Sequence, residues 1–237
     1  MNNVDSLYQY GTLALLVPGL FEGNLSLTDL LSHGDTGIGT GDGLDGELII
    51  LDGIAYQVDG DGNVNEVKDG FTVPFANVHQ GAFKPLTDVD ASLSAADFEK
   101  KVLDDTNWEN TFFSVKAHGK FKFAQTRSIN KQPKPYPGLV ECANNQSVFK
   151  KEDVEGTIIG YYSPQIFNGA AVGGFHLHFL ADDHSMGGHV MDFEMQSGNI
   201  EVQQFSKLEQ ELPVNNKDYM NHDFSKDDIQ KAIGEAE

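Results

Sequence analysis

Apolar and polar residues alternate with a period of two over long stretches of this chain, and that period belongs to strands. "FFSVKAHGKFKFAQTRSI" (112–129) sets Phe112, Ser114, Lys116 and His118 on one side and Phe113, Val115 and Ala117 on the other. "GELIILDGIAYQV" and "NEVKDGFTVPFANV" are β-branched and aromatic runs broken by Gly and Asp, which predicts strands and hairpins. Further strands are expected in "EGTIIGYYSP", "GFHLHFL", "GHVMDFEMQ" and "NIEVQQF". A period of three to four is confined to few places. "SLSAADFEKKVLDDT" (92–106) has Ser ahead of Leu93, Ala96, Phe98 and Val102 and predicts the clearest internal helix. "LSLTDLLSHGDTG" (25–37), with a Ser or Thr cap and a closing Gly, predicts a short helix, and "SKDDIQKAIGEAE" a final one. The fold class is therefore α+β, strand-dominated, with few helices. "KQPKPYPG" (131–138) holds three of the eight prolines and suits neither a helix nor a central strand, so it is the expected linker between residues 1–131 and 132–237.

Composition narrows the function. At 237 residues the chain can bury a substantial core without a covalent staple. The formal charge of -20, from 36 acidic against 16 basic residues, argues against a nucleic-acid or anionic-membrane surface. Cys142 is the one cysteine, so no intramolecular disulfide or Cys-rich zinc motif exists, and a small buried hydrophobe in a reducing compartment is expected. "TLALLVPGL" (12–20) is apolar, but "MNNVDSLYQY" before it carries no Lys or Arg, unlike a secretory signal, and the expected location is the cytoplasm. "VDGDGNVNEV" (58–67) imitates a calcium loop. With Asp59 as its first position, Val64 stands where the loop needs Gly and Gly70 where it needs Glu, so a hairpin turn is expected.

"GFHLHFLADDHSMGGHVMDF" (174–193) carries four of the eight histidines. Residues i and i+2 of a strand share a face, so His176 and His178 project together, away from Phe175, Leu177 and Phe179. A return strand from "GGH" brings His189 beside them across the polar, Gly-ended "ADDHSMGG" connection. Three imidazoles on a rigid sheet describe an open zinc or similar divalent site better than a closed structural one. The bland alternative is a solvated strand face. His184, in mid-loop, is expected in solvent, and His33, His79, His118 and His222 receive no role.

Arg127 is the only arginine in the chain. A guanidinium offers a carboxylate a fixed fork that Lys cannot copy, although an ordinary ion pair is as natural a reading. Glu47 heads the apolar strand in "GELII", where half-burial would make it a candidate proton donor or metal ligand.

These parts combine into a resemblance. "YQYGTLALLVPGLFEG", "HGDTGIGTGDGLDGELIILDGIAYQV", "RSINKQPKPYPGL" and "GTIIGYYSPQIFNGAAVGGFHLHFLADDHSMGGHVMDF" resemble, in this order and over nearly the whole chain, the acetolactate decarboxylase family. The resemblance implies a zinc enzyme that converts 2-acetolactate to acetoin and carbon dioxide through a metal-stabilised enediolate, in acetoin and butanediol metabolism. It also implies two mixed sheet layers, with the C-terminal one smaller and barrel-like, and a homodimer. The family's zinc ligands fall on His176, His178 and His189, its active-site arginine on Arg127, its strand glutamate on Glu47 and a pocket-lining threonine on Thr40. A glutamate from the C-terminal segment falls on Glu235 or Glu237, and Glu235 is preferred because a terminal residue frays. Gly41 stands where the family usually carries an aromatic after "GT", which bears on pocket shape.

Two rival classes share parts of the pattern. A cupin-like metal oxygenase also uses H-x-H, but its glutamate should follow the second His after three or four residues, places held here by Asp182 and Asp183. A non-enzymatic metal-binding module accounts for the histidines and leaves Arg127 and Glu47 unexplained.

Overall fold

Two sheets take up the period-two segments. The computed structural model describes residues 4–236. Its first half runs β1 (Ser6–Tyr10), α1 (Leu13–Leu16), β2 (Leu25–Ser26), α2 (Leu27–Leu31), β3 (Thr36–Thr40), β4 (Glu47–Leu51), β5 (Ile54–Val58), β6 (Val64–Val67), β7 (Thr72–Val73), β8 (Phe75–His79), β9 (Lys84–Val89), β10 (Leu93–Ser94) and α3 (Ala95–Thr106). The second half runs β11 (Phe112–Ser128), α4 (Leu139–Asn144), β12 (Ser147–Ser163), β13 (Gly174–Ala181), β14 (Gly187–Phe205), β15 (Lys207–Glu211), α5 (Lys217–Asn221) and α6 (Ile229–Ala236).

The first sheet has seven strands in the order β15-β1-β8-β3-β4-β5-β6 and is mixed, because β15 joins β1 in parallel while the other pairs are antiparallel. The second has the order β10-β14-β11-β12-β13, with β9 added on β14. It closes on itself: β13 pairs with β12 along its length and with β14 at His178↔His189, Phe179↔Gly188 and Leu180↔Gly187. This is the barrel-like sheet that the resemblance implied, but it is the larger of the two and not the smaller, because β11, β12 and β14 run for 17, 17 and 19 residues.

Alternation sorts side chains between layers. On β4, Leu48 and Ile50 face the cluster under α2, while Ile49 faces the second sheet together with Ile38, Ile159 and Leu180. Glu47 shares the Ile49 side, so strand parity alone aims it at the second sheet. Inside the barrel Phe113, Phe121, Phe179 and Phe193 pack together, and α3 plugs one end with Phe98 and Val102, both fully buried. The Ser94 side chain caps α3 by accepting from the Asp97 amide, two residues beyond the Ser92 that leads the sequence pattern, so Leu93 lies on β10 and not in the helix; Ser26 caps α2 in the same way.

Three expectations need correction. "GHVMDFEMQ" and "NIEVQQF" are one 19-residue strand, because Gly198 at φ +147 carries β14 past a spot where a Cβ would lie 2.1 Å from the His118 carbonyl. The final helix begins at Ile229, after a separate 3-10 turn at Phe224–Lys226. Sheet membership does not change at 131/132: the chain leaves the first sheet between His79 and Lys84 and returns to it at Lys207. The "VDGDGNVNEV" segment is the expected hairpin, with Asp59 accepting from the Asp61 and Asn63 amides at 3.0 and 2.9 Å.

Candidate metal centre and active site

Barrel closure builds the centre. His176 and His178 stand on one face of β13, and the His178↔His189 pairing brings the third imidazole across from β14. Ring centroids are 5.3 Å apart for His176 and His178, 4.9 Å for His176 and His189, and 5.6 Å for His178 and His189. One ring nitrogen from each lies within 4.8 Å of the others. A register shift in β11 between Gln125 and Thr126 then sets Arg127 opposite His189. Gly188, at φ +123, permits the approach, since a Cβ there would sit 2.6 Å from the Arg127 carbonyl.

Protonation follows from burial. His178 and His189 are both held well below the ordinary imidazole range, chiefly by loss of water, with His176 and the Arg127 guanidinium adding to the effect. Both are neutral at pH 7. His178 Nδ1 lies 3.0 Å from the Leu48 carbonyl, and a carbonyl only accepts, so Nδ1 carries the hydrogen and Nε2 the lone pair. That nitrogen has no hydrogen-bond partner, yet it sits 3.4 Å from a carboxylate oxygen of Glu47. Two electron-rich atoms thus face each other out of water, an arrangement stabilised by a cation. The carbonyl behind His178 is also the kind of partner that fixes the tautomer of a metal-ligating histidine. The donor set fits a divalent ion.

Around this cluster lies a cavity of about 40 Å3. Glu47, Thr40, Arg127, His176 and His189 form its polar side; Leu13 and Leu16 of α1, Leu139 and Ala143 of α4 and Ala236 of α6 are among its apolar side. The Thr40 hydroxyl donates to the Gly46 carbonyl at 2.8 Å, which turns its lone pairs outward. Arg127 is 7 % exposed. Its Nη1 donates to Gln146 Oε1 at 2.9 Å and to the Ala236 carbonyl, and Nη2 lies 3.2 Å from His189 Nε2. The ring of Phe71 packs over Gly41, where a Cβ would meet it at 2.7 Å.

The fold brings the expected residues His176, His189, Arg127, Glu47 and Thr40 to one cavity wall, with His178 behind it, 3.4 Å from Glu47. Glu235 is not among its lining residues. It is half-exposed, 3.7 Å from Lys231, and faces an outer groove of about 230 Å3 that also touches Arg127, Gln146 and His189. Glu237 lies outside the described residues. Gln146, Leu44 and the Ala236 carbonyl were not foreseen, and nothing in "ECANNQSVF" marks Gln146. His184 is exposed, as expected. Among the described residues a second ligand group, His118, Glu155 and Asp182, lies on the outer face; Asp182 is 3.0 Å from His118 there, and this surface pairing weakens the oxygenase reading.

Comparison with known proteins agrees with the site. The alpha-acetolactate decarboxylase family model matches residues 7–226. The alpha-acetolactate decarboxylase of Lactococcus lactis subsp. cremoris (strain MG1363) is 37% identical over 239 residues, covering 100% of both chains, and that of Bacillus licheniformis is 35% identical over 99% of this chain and 92% of its own. The crystal structure of acetolactate decarboxylase from Bacillus subtilis subspecies spizizenii superposes with a TM-score of 0.93 at 35% identity, covering 98% of this chain and 100% of that one. With its histidine cluster, lone arginine and strand glutamate in one cavity, the chain belongs to the alpha-acetolactate decarboxylase family.

Proposed function

We propose that the protein is a zinc-dependent carboxy-lyase that converts 2-acetolactate to acetoin and carbon dioxide, working as a cytoplasmic homodimer in acetoin and butanediol metabolism. The observation that carries the reading is the buried His178 Nε2 lone pair facing the Glu47 carboxylate at 3.4 Å. His176, His178 and His189 would hold the ion. Bound there, it would supply Lewis acidity toward the oxygens of the substrate.

The chain's own groups do the rest. Loss of carbon dioxide leaves an electron pair that the neighbouring ketone absorbs, giving an enediolate that needs one proton on carbon. Glu47 is the donor, in its carboxylic-acid form after taking a proton from solvent: its side chain is 13% exposed, beside His178, and in the cavity wall. Glu235, in the outer groove, is less well placed for that transfer. Arg127 orients the departing carboxylate. An equal grip on ground and transition state would lower KM without lowering the barrier, so its contribution to rate is orientation. It also offers positive charge to an anion approaching a protein of charge -20. Thr40 presents lone pairs to the substrate hydroxyl. The leucines of α1 and α4 keep water away from the enediolate until Glu47 delivers its proton.

The test is an acetoin assay with fresh 2-acetolactate, run on protein as purified, after chelator, and after zinc is restored. Acetoin above the spontaneous rate, lost with chelator and regained with zinc, is expected. No acetoin from zinc-loaded protein would leave a metal-binding protein of another reaction.

A further inference from the structure

Arg127 can orient a carboxylate only if its own plane is fixed. Among the described residues, β14 reaches the guanidinium through His189 Nε2, the end of α6 through the Ala236 carbonyl, and Gln146 through Oε1 at 2.9 Å. The His189 lone pair belongs to the candidate metal cluster, and the Ala236 carbonyl is a backbone group of α6 that no side-chain substitution removes. Gln146 differs from both. It lies between α4 and β12, its amide donates to the Ala143 carbonyl at 3.3 Å, and β12 then pairs at once with the strand of Arg127, through Ser147↔Ser128 and Val148↔Arg127. Its acceptor is therefore tied by sheet register to the residue it holds. A guanidinium only donates, so the amide oxygen of Gln146 must face Arg127 and the amide nitrogen must face away. Gln146 also lines the outer groove shared by Arg127, His189 and Glu235, so a charge introduced at this position would be felt in that groove.

We propose that Gln146 is a positioning residue for the decarboxylation: it holds the guanidinium plane of Arg127 so that the carboxylate is gripped in the orientation from which carbon dioxide leaves. The proposal rests on the decarboxylase reading. Two variants of zinc-loaded protein test it, Gln146→Met, of similar length without an acceptor, and Gln146→Glu, which keeps an acceptor and adds a charge. Gln146→Met is expected to lower kcat by about tenfold, the scale of a small misplacement at a reacting centre, with melting temperature and zinc content unchanged. Gln146→Glu is expected to keep kcat within about threefold and to raise KM by about tenfold, because the held plane survives while the groove repels an anion. A purely structural role would not split the two constants in this way. Gln146→Met with both constants within about twofold of the parent, or Gln146→Glu as slow in kcat as Gln146→Met, would overturn it. Calorimetry with 2-hydroxyisobutyrate, a 2-hydroxy carboxylate with no ketone, separates this idea from the reading beneath it. If the parent forms no acetoin, the reading falls, and probe binding at least about fivefold weaker in Gln146→Met still supports the positioning role. Equal binding in both proteins, or none in the parent, overturns it.

Discussion

His79 and His178 carry the same outward marks and sit in different surroundings. Both are fully buried, and Nε2 of each lacks a hydrogen-bond partner. Both share a tautomer: the Tyr161 hydroxyl donates to the Thr36 carbonyl at 3.2 Å and so accepts from His79 Nδ1 at 2.8 Å, just as the Leu48 carbonyl accepts from His178. Burial lowers both; His79 is pushed down to about 3. Around His79, however, stand the rings of Phe83, Tyr161 and Phe205, with centroids 5.4, 5.5 and 4.9 Å away, whereas His178 meets a carboxylate and two imidazoles. A buried lone pair alone is a packing feature. Several of them converging, with a carboxylate, make a place for a cation.

The largest expected effect breaks the pair apart. His178→Ala should lower zinc affinity by more than about 100-fold, beyond what loss of a supporting partner costs, and remove acetoin formation with it. His79→Phe should keep both, as read by zinc content after dialysis and by turnover; equal loss in the two variants would sink the distinction. Next, Glu47→Gln should retain zinc while kcat falls by about 100-fold or more, the range for a removed proton donor. Full activity with unchanged product chirality would remove Glu47 from that role.

Acid unfolding sharpens the His79 side. A histidine whose folded pKa is depressed contributes nothing adverse above its unfolded pKa of about 6.5, and costs stability as pH falls from there, because only the unfolded chain accepts the proton. For His79 the loss extends down to about pH 3, its folded value. His79→Phe should therefore flatten the pH dependence of unfolding free energy by about 1.4 kcal/mol per pH unit in that window, measured by denaturant titration at several pH values. An unchanged slope would mean that His79 is hydrated in solution. The smallest effect belongs to the outer group. His118→Ala, on a half-exposed pair, should shift stability by under about 0.5 kcal/mol and leave zinc content and kcat at parental values.

Legibility in the sequence tracked how local each cause is. Strand parity placed His176 with His178, a Gly-ended connection returned His189, and a Ser cap started α3. Arg127 stood out because it is alone. The join within β14 was hidden by "QSGN", which reads as a turn unless one sees that Gly198 takes a backbone angle open to glycine. The α4 segment is a six-residue helix in "LVECAN", too short to display a period. Gln146 and the Ala236 carbonyl act through tertiary placement, and a backbone carbonyl has no sequence signature at all.

The cavity has two unlike walls, and β14 decides which one yields. This strand is bonded to β9, β10, β11 and β13, so the amides around His189 can exchange with deuterium only when much of the barrel opens. The opposite wall is made of short helices, α1 and α4, and the end of α6, which are held by apolar contacts rather than by a ladder. Protection factors should thus be near the global limit along Gly187–Val190 and much lower along 139–146 and 229–236. Such a pattern would make the helical side the part of the cavity wall that opens most readily, with the three histidines held in place by the barrel.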